Sequence, residues 1–512
     1  MTLNLASIVH NSRQLHADHT ALISGEKRIS YRELSERVAA VALHLQKLGL
    51  RPGDRAGLLM PNCASFSVAY FGILHAGGIV VPISYLSVGR EVAYALRDSE
   101  ANFLIASQGL EKVAREGVQG SKHGPQLLIA SENRGPLTTV YGAPIDPAGF
   151  TEPALRMPDD TAVILYTSGT TGEPKGAELT HFNMYSNAQY AAERVLSGAP
   201  QSEPMRPGDV GLAALPLFHS FGQTCIQNAC LFGGAAVAYL ERFDAQAALE
   251  AIARERVTIF AGVPTMYFQL LRAGNPAGLD LSSLRFCSSG GAAMPVEVMR
   301  EFDDRFKVNI LEGYGLSETS PVATFNVLWR PKKAGSIGLP ILGVDVRIFD
   351  EKDGEVPTGE VGELVIRGPN VMKGYWRRHE ATREAMRGGW FHTGDLGRKD
   401  EDGYLFIVDR KKDMIIRGGF NVYPREVEEV LYGHPSVGEA AVVGVADPEY
   451  GEEVKAYVAL KPGAAADPEE ITKFCRERLG GHKYPRIVEI LPSLPKGPTG
   501  KILRKELRGR PR

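Results

Sequence analysis

The sequence predicts a large α/β protein with a smaller α+β domain at its C-terminal end. Helical and strand-like segments alternate from the start of the chain, which is typical of α/β architecture. The 512 residues exceed the size at which a single hydrophobic core stops growing, so two or more domains are expected. Near residue 335 the pattern changes to short β-branched runs separated by turns, and beyond residue 413 a fresh alternation begins.

Local signals predict the first elements. Ser30 and Glu33 have the spacing of a capping box, which predicts a helix that starts there and stops before Gly49. A strand is predicted over 56–60, and a further helix leads into a strand over 78–83. The same alternation recurs over 252–269 and 284–305.

A small β subdomain is predicted after residue 335, with strands over 344–349, 363–367 and 403–408. The charged run DRKKD at 409–413 follows, and it fits either a hinge or a solvated turn.

A separate C-terminal domain is predicted beyond this run, because about 100 residues carry their own alternation of elements. Its helices are expected over 425–431 and 468–479, and its strands over 440–445 and 455–460. The expected units are therefore an N-terminal domain of α/β subdomains plus the β subdomain over 1–408, a hinge over 409–413 and a C-terminal domain over 414–512.

The charge balance excludes several classes of partner. With 58 basic and 60 acidic residues the net charge is −2, which leaves no electrostatic footprint for nucleic acid or for an anionic membrane surface.

The five cysteines lack C-x-x-C spacing, which argues against a disulfide framework or a zinc site and favours a reducing compartment. The N-terminal segment has no basic region followed by an apolar core, so we expect no secretory signal and a cytoplasmic protein.

Two long windows, 61–89 and 210–240, carry no formal charge and could be mistaken for membrane spans. Glycine and proline interrupt both windows. Buried helices and strands of a large core fit these windows better, so no integral membrane segment is expected.

The run YTSGTTGEPKG at 166–176 has the composition of a loop that holds phosphate. Glycine lets the backbone approach an anion closely, hydroxyl groups donate hydrogen bonds, and Lys175 supplies a mobile positive charge. A short buried strand predicted over 162–165 would display the loop at its C-terminal end, where α/β sheets bind ligands. The Walker A spacing is absent, since Lys175 stands three residues after Gly172. A flexible linker is the alternative, which the strand and the lysine disfavour.

Five further motifs follow in order along the chain: SSGGAAMP at 288–295, GYGLSETS at 313–320, WFHTGD at 390–395, DRKKDMIIRGGFNVYP at 409–424 and PKGPTGKIL at 495–503. Together with the phosphate loop they resemble the signature set of the adenylate-forming, or AMP-binding, superfamily. This superfamily contains acyl-CoA synthetases, aryl-CoA ligases, luciferases and peptide-synthetase adenylation domains, and the fatty acyl-CoA synthetases are the most similar. One such motif is weak evidence, whereas six in the family's order are specific.

The resemblance implies a site for ATP. The phosphate loop would close over the β and γ phosphates with Thr167, Ser168, Gly169, Thr170, Thr171, Gly172 and Lys175. Gly291, Ala292 and Gly313 would line adenine, and Tyr314 would stack on it, with Gly315 as a further nucleotide-binding residue. Asp395 and Arg410 would bind the ribose, and Ser317, where the family usually has threonine, would keep a hydroxyl near the α-phosphate.

The resemblance also implies catalytic roles. Glu318, with Thr167, would hold Mg²⁺, because hard oxygen ligands suit an ion that bridges phosphates. Lys501 would bridge the carboxylate of the acid and the developing phosphoryl charge, in concert with Thr167 and Lys175.

In the family the small domain rotates between the two half-reactions, so the resemblance implies that the C-terminal domain is mobile. Lys412 matches the pivot position of this rotation. Gly418 and Gly419, in the run 417–420, match the loop that leaves room for the pantetheine chain of coenzyme A.

The resemblance favours a medium- or long-chain fatty acid as the acid substrate. His219 occupies the position where amino-acid-activating domains usually have an aspartate, so the α-ammonium group of an amino acid would lack its counter-ion. The expected pocket is formed by 218–223 and 262–267, with His219, Phe221, Gly222, Gly262, Val263 and Gly313 among its residues. Apolar pockets discriminate weakly between chain lengths, so the length of the fatty acid is left open. An aryl acid such as a cinnamate is the alternative substrate.

Other functions share part of the motif set. The protein could pass its acyl-adenylate to a separate acyl carrier protein, emit light by oxidation, or serve only as a nucleotide sensor. Luminescence is disfavoured because no motif indicates a luciferin pocket. A homodimer remains open.

Overall fold

The computed structural model describes residues 2–130, 139–140, 143–144, 151–167, 173–193, 204–274, 278–327, 329–497 and 500–510. The α-helices are α1 (Ser7–His16), α2 (Tyr31–Lys47), α3 (Ala64–His75), α4 (Gly89–Ser99), α5 (Glu111–Ser121), α6 (His181–Glu193), α7 (Ala229–Phe232), α8 (Ala245–Glu255), α9 (Pro264–Ala273), α10 (Val296–Phe306), α11 (His379–Ala385), α12 (Pro424–Tyr432), α13 (Pro468–Arg476) and α14 (Arg504–Arg508). A π-helix covers Phe221–Asn228, and 3₁₀ turns cover Gln108–Leu110, Ser317–Thr319 and Arg387–Gly389.

The strands are β1 (Thr20–Ser24), β2 (Lys27–Ser30), β3 (Arg55–Leu59), β4 (Ile79–Ile83), β5 (Phe103–Ser107), β6 (Gln126–Ala130), β7 (Thr139–Val140), β8 (Ala143–Pro144), β9 (Thr161–Thr167), β10 (Lys175–Thr180), β11 (Val210–Ala213), β12 (Ala236–Tyr239), β13 (Ile259–Gly262), β14 (Phe286–Ser289), β15 (Ile310–Gly315), β16 (Val322–Phe325), β17 (Leu339–Pro340), β18 (Asp345–Phe349), β19 (Gly362–Arg367), β20 (Gly374–Tyr375), β21 (Phe391–Lys399), β22 (Leu405–Arg410), β23 (Ile415–Arg417), β24 (Phe420–Val422), β25 (Val437–Asp447), β26 (Gly451–Leu460) and β27 (Ile487–Ile490).

Two nine-stranded sheets form the body of the N-terminal part. Their strand orders are β17-β16-β15-β14-β13-β11-β12-β1-β2 and β20-β10-β9-β4-β3-β5-β6-β7-β8. The central strands are parallel, as where β3 pairs with both β4 and β5. A third sheet, β18-β19-β21-β22, is the predicted β subdomain, and a fourth, β24-β23-β26-β25 with β27 beside β26, belongs to the C-terminal part. The predicted α/β body with a smaller α+β unit is confirmed.

One hydrophobic core reaches from the first sheet to the second through α1, α2 and α3. All 12 residues of α3 are buried. The uncharged window 61–89 therefore folds as α3 and β4, and the window 210–240 as β11, the π-helix, α7 and β12. No helix in the described ranges is both long enough and apolar enough to cross a membrane.

The elements predicted from local signals are present. α2 begins with the expected capping box, in which the Glu33 N–H donates to Ser30 Oγ at 3.2 Å and the Ser30 N–H donates to Glu33 Oε2 at 3.1 Å. The helices and strands predicted beyond residue 413 correspond to α12, β25, β26 and α13.

Among the strands that the sequence did not predict are β21 and the pair β23 and β24. β21 begins within the motif WFHTGD and contains its residues 391–395, whose glycine and polar residues lack an alternating apolar pattern. It is a strand because β19 and β22 pair with it on both sides. β23 and β24 form a hairpin whose two-residue turn is Gly418-Gly419, with φ of +55° and +83°. Such a turn requires positive φ at both residues, which glycine adopts without strain.

Gly72→Ala tests the close packing of α3 on α2. A Cβ at Gly72 would lie 2.5 Å from Val41 Cγ1, so the two helices would have to separate. Overpacking of this kind costs about 1–3 kcal/mol, and we expect a lower midpoint of thermal unfolding. Gly481→Ala is the matched control, because nothing lies within 4 Å of a Cβ at that position. Equal unfolding midpoints for the two variants would contradict the expectation.

Candidate active site

The described residues that flank the centre of the phosphate loop lie on the two strands of a hairpin, β9 and β10. β9 includes the buried strand predicted over 162–165, and it pairs antiparallel with β10, with Thr167 opposite Lys175. Thr167 Oγ1 donates to the Lys175 carbonyl at 3.4 Å. The Lys175 ammonium lies 5.2 Å from the centre of the Tyr375 ring. The predicted residues Ser168, Gly169, Thr170, Thr171 and Gly172 lie outside the described residues.

The residues predicted for adenine and ribose meet at the junction of the first and third sheets. Tyr314, near the end of β15, donates from its hydroxyl to Asp395 Oδ2 at 2.7 Å. Asp395 pairs in register with Arg410 on the neighbouring strand, and Arg410 Nε lies 3.1 Å from Asp395 Oδ1. Asp395 is 4% exposed, so this carboxylate is held by an arginine and a phenol rather than by water.

Glu318 lies in the 3₁₀ turn after β15, close to the hairpin. Tyr375 donates from its hydroxyl to Glu318 Oε1 at 3.0 Å, which joins Glu318 to the same tyrosine that Lys175 contacts. Burial raises the pKa of Glu318, whereas hydrogen bonds from its own backbone and from Tyr375 lower it. Sequence reasoning missed Tyr375, because 57 residues separate it from Glu318 and no motif contains it.

Lys501 reaches this site from the C-terminal part of the chain. A Cβ at Gly291 would lie 3.2 Å from Lys501 Cε and 3.8 Å from its Nζ, and φ of +80° makes this position suited to glycine. Thr265 Oγ1 donates to the Gly500 carbonyl at 3.3 Å, which anchors the lysine-bearing loop on α9. Ala292, beside Gly291, is exposed.

The pKa of Lys501 is shifted by burial and by charged groups that precede residue 411 in the chain. Burial lowers its pKa, and the nearby Arg410 lowers it further, whereas the carboxylates of Asp395 and Glu318 raise it. The structure therefore brings together Lys501, the pair of residues predicted to bind ribose and the predicted magnesium carboxylate, which lie up to 183 positions apart in the sequence.

The predicted acid pocket includes the start of the π-helix. The Phe221 N–H donates to His219 Nδ1 at 3.3 Å, so the neutral imidazole carries its proton on Nε2. Burial, with a smaller effect of Lys501, lowers the pKa of His219 to about 3, which keeps the ring uncharged at neutral pH. The Phe221 ring lies against Gly290, where a Cβ would be 3.2 Å away. These contacts place His219 and Phe221 next to the Gly291–Lys501 contact.

Several predicted site glycines are required by backbone packing. A Cβ at Gly222 would clash with the Pro216 carbonyl, one at Gly313 with the Phe325 ring, and one at Gly315 with the Pro321 carbonyl. Gly222 is fully enclosed in the π-helix, so its role here is to let the helix approach the chain at Pro216 rather than to line a cavity. Gly262 and Val263 are also buried, and Ser317 is half-buried.

Cys225 is a residue that sequence reasoning missed. Within the π-helix only Phe221 and Cys225 are not fully buried, and they lie about one turn apart on one face. Burial raises the pKa of the Cys225 thiol to about 12, so the thiol stays protonated at neutral pH. Cys225, one turn beyond Phe221, therefore presents an uncharged side chain.

Glu312 is a second missed residue. It directly precedes Gly313, which was predicted to line adenine, and is 3% exposed. Its Oε1 accepts from the Met294 N–H at 3.1 Å, while Oε2 has no hydrogen-bond partner among the described residues. Burial raises the pKa of Glu312 to about 7, against a lowering effect of Arg425 from the C-terminal part. A carboxylate before the GYG motif was the signal that could have identified it.

The assembled residues define a nucleotide-dependent enzyme whose site is completed by a second domain. Comparison with known proteins agrees. Residues 9–376 match the family model of the AMP-binding enzymes, and residues 426–501 match that of the AMP-binding enzyme C-terminal domain. The chain belongs to the AMP-binding enzyme family. It is an adenylate-forming acid–thiol ligase.

Full-length relatives include two kinds of CoA ligase. A long-chain-fatty-acid–CoA ligase of Bacillus subtilis (strain 168) is 38% identical over an alignment of 531 positions, gaps included. The alignment covers 98% of this chain and 94% of that protein. A feruloyl-CoA synthase of an Amycolatopsis species is 40% identical over 497 residues, which cover 96% of each.

Solved structures of similar enzymes contain the expected nucleotide or intermediate. An anthranilate CoA ligase in complex with anthranoyl-AMP has a TM-score of 0.91 at 31% identity, with 99% of this chain and 97% of that chain covered. MatB of Rhodopseudomonas palustris with ATP bound has a TM-score of 0.87 at 32% identity, with 99% and 98% covered.

Glu312→Gln tests the buried carboxyl. Because the pKa is raised in the folded state, the folded protein holds this proton more tightly than the unfolded chain does. The contribution of the Glu312 carboxyl to the free energy of unfolding is largest below about pH 4.5. It falls by about 1 kcal/mol per pH unit as the pH rises towards 7. We expect the E312Q variant and the parent to unfold at similar temperatures at pH 5, and the variant to be the more stable at pH 8. A constant difference across this range would contradict the raised pKa.

Proposed function

We propose that the protein activates a medium- or long-chain fatty acid through an acyl-adenylate to an acyl-CoA thioester, and releases AMP and pyrophosphate. The observation that carries the catalytic part of this proposal is the placement of Lys501 against Gly291, beside Asp395, Glu318 and Arg410. A lysine placed among these side chains would supply positive charge where the two anions of an adenylation reaction must approach each other.

The first half-reaction forms the adenylate. A carboxylate oxygen of the acid attacks the α-phosphorus of ATP, and the bond from that phosphorus to the bridging oxygen breaks, so that pyrophosphate leaves. Two anions approach each other in this step, so catalysis rests on positioning and on positive charge. Lys501 would neutralise the charge shared by the carboxylate and the α-phosphate, and Lys175 with Thr167 would hold the departing phosphates. Tyr314, Asp395 and Arg410 would orient the nucleoside.

Glu318 and Thr167 fit a magnesium site shared with phosphate. Mg²⁺ in such sites takes one or two carboxylates together with phosphate oxygens and water. When bound, the ion would neutralise phosphate charge. The protein would contribute the buried carboxylate of Glu318, which the Tyr375 hydroxyl orients by a hydrogen bond.

The second half-reaction transfers the acyl group to coenzyme A. The thiol sulfur attacks the acyl carbonyl carbon, the bond to the AMP oxygen breaks, and the thiol proton leaves to solvent or a base. We propose that the C-terminal domain rotates about Lys412, which is exposed in the run between β22 and β23. The Gly418-Gly419 turn has no side chain, so it would leave a narrow path for the pantetheine chain.

The pocket supports an acid without charge beyond its carboxylate. His219 is neutral, Phe221 and Cys225 are uncharged, and the whole window 210–240 has no Asp, Glu, Lys or Arg. An aryl acid is the second candidate, favoured by the similarity to a feruloyl-CoA synthase. We expect kcat/KM, measured by AMP release with ATP, Mg²⁺ and CoA, to be at least about tenfold higher for saturated fatty acids of roughly 8 to 18 carbons than for ferulate or benzoate. A higher value for the aryl acids would favour the second candidate.

The thiol acceptor is tested in the same assay. We expect the acyl thioester to form when CoA is added. Thioester that forms only on added acyl carrier protein would show that the protein supplies a carrier instead.

Lys501→Ala separates the two half-reactions. Loss of the ammonium should lower adenylation, measured by ATP–pyrophosphate exchange, by about 10²-fold to 10³-fold. Thioester formation from supplied acyl-adenylate and CoA should continue at the parent rate, because the lysine acts before that step. Lys505→Ala is the matched control, since Lys505 is exposed on the same tail. Equal losses in both steps for Lys501→Ala would refute this role.

A further inference from the structure

Asp409 is a buried carboxylate at the last strand before the hinge. It lies on β22, opposite Leu396 of β21, and is 3% exposed. Its Oδ2 accepts from the Arg425 N–H at 2.9 Å, and Arg425 lies in the first turn of α12 on the far side of the hinge. A carboxylate at a helix N-terminus is favoured by the free N–H groups and the helix dipole.

The side chain of Arg425 also donates hydrogen bonds to residues on the other side of the hinge. Its NH1 donates to the Ile407 carbonyl at 2.7 Å, and its NH2 donates to the Gly335 carbonyl at 3.4 Å. Ile407 belongs to β22, and Gly335 precedes β17, so both acceptors lie before the hinge. Asp409 and Arg425 thus make three hydrogen bonds across the 410–413 segment.

A neighbouring arginine supplies a contrast. Arg504, three positions after Lys501, donates from NH2 to both oxygens of Glu428 at 2.7 and 2.6 Å, and both residues lie beyond the hinge. Its NH1 lies 3.8 Å from Asp409 Oδ1. If the C-terminal domain turns as a unit, the Arg504–Glu428 pair stays intact, whereas the bonds between Asp409 and Arg425 and from Arg425 to Ile407 and Gly335 must break.

We propose that Asp409 and Arg425 form an inter-domain latch that holds the orientation in which Lys501 reaches the nucleotide site. Both are positioning residues for adenylation, since they act through Lys501 and not on the substrate. The latch rests on the proposed function, because its role depends on two half-reactions that use different orientations. Contacts made in only one orientation shift the balance between the two by their own free energy.

The half-reactions give the first test. Asp409→Ala and Arg425→Ala should each lower ATP–pyrophosphate exchange roughly tenfold to hundredfold, the usual effect of removing a charged hydrogen-bond partner. Thioester formation from supplied acyl-adenylate and CoA should stay at the parent rate or rise. Glu428→Gln is the matched control, because it weakens an arginine–carboxylate pair that lies within one domain. We expect it to leave the ratio of the two rates unchanged.

Tryptic cleavage gives a second readout that needs no substrate. Lys411 and Lys412 are exposed in the hinge, so trypsin can cut there, and the fragment masses identify the cut. Loosening the latch should speed cleavage several-fold in Asp409→Ala and Arg425→Ala, but not in Glu428→Gln.

Two results would overturn the latch: equal loss of both half-reactions in Asp409→Ala, or hinge cleavage at the parent rate in both latch variants. If the parent exchanges pyrophosphate with none of the acids, the proposed function fails. The tryptic cleavage rates then still test whether Asp409 and Arg425 hold the two domains together, because that measurement needs no enzymatic activity.

Discussion

The active site depends on one ionic arrangement that no single domain supplies. The ammonium of Lys501 comes from the C-terminal part, and the carboxylates that raise its pKa, Asp395 and Glu318, come from the N-terminal part. A buried cation is costly unless opposite charges accompany it, so the lysine and the carboxylates stabilise each other only while the two parts are closed. Arg410 opposes this pairing and is itself held by Asp395. The proposed latch at Asp409 would act on this closure.

Backbone proximity is the second constraint on the site. Gly291 leaves room for the Lys501 side chain, while Gly313 and Gly315 let β15 approach Phe325 and the chain at Pro321. A methyl group at any of these places would displace a lysine, a ring or a carbonyl. These motif glycines are therefore required by close packing, at Gly291 against the Lys501 side chain and at Gly313 and Gly315 against neighbouring chain. Gly222 belongs to the fold alone, because its hydrogen faces a carbonyl and not a cavity.

Short-range patterns predicted much of this structure, and long-range pairing accounts for what they missed. The capping box at Ser30 and the strand before Thr167 could be read from adjacent residues. β21 could not, because its polar residues become a strand only between β19 and β22. Tyr375 was missed for the same reason, since its hydroxyl meets Glu318 across 57 residues.

The sequence by itself determined the family and the order of the motifs, and through the resemblance it predicted which residues bind ATP, because these inferences depend on residue types at short, fixed spacings. Tertiary structure alone decided which of these residues interact electrostatically. It placed Lys501 among Asp395, Glu318 and Arg410, left Glu312 with a raised pKa of about 7, and set Asp409 against Arg425 across the hinge. Burial and distance control these electrostatic effects, and neither quantity exists until the two domains have folded and closed.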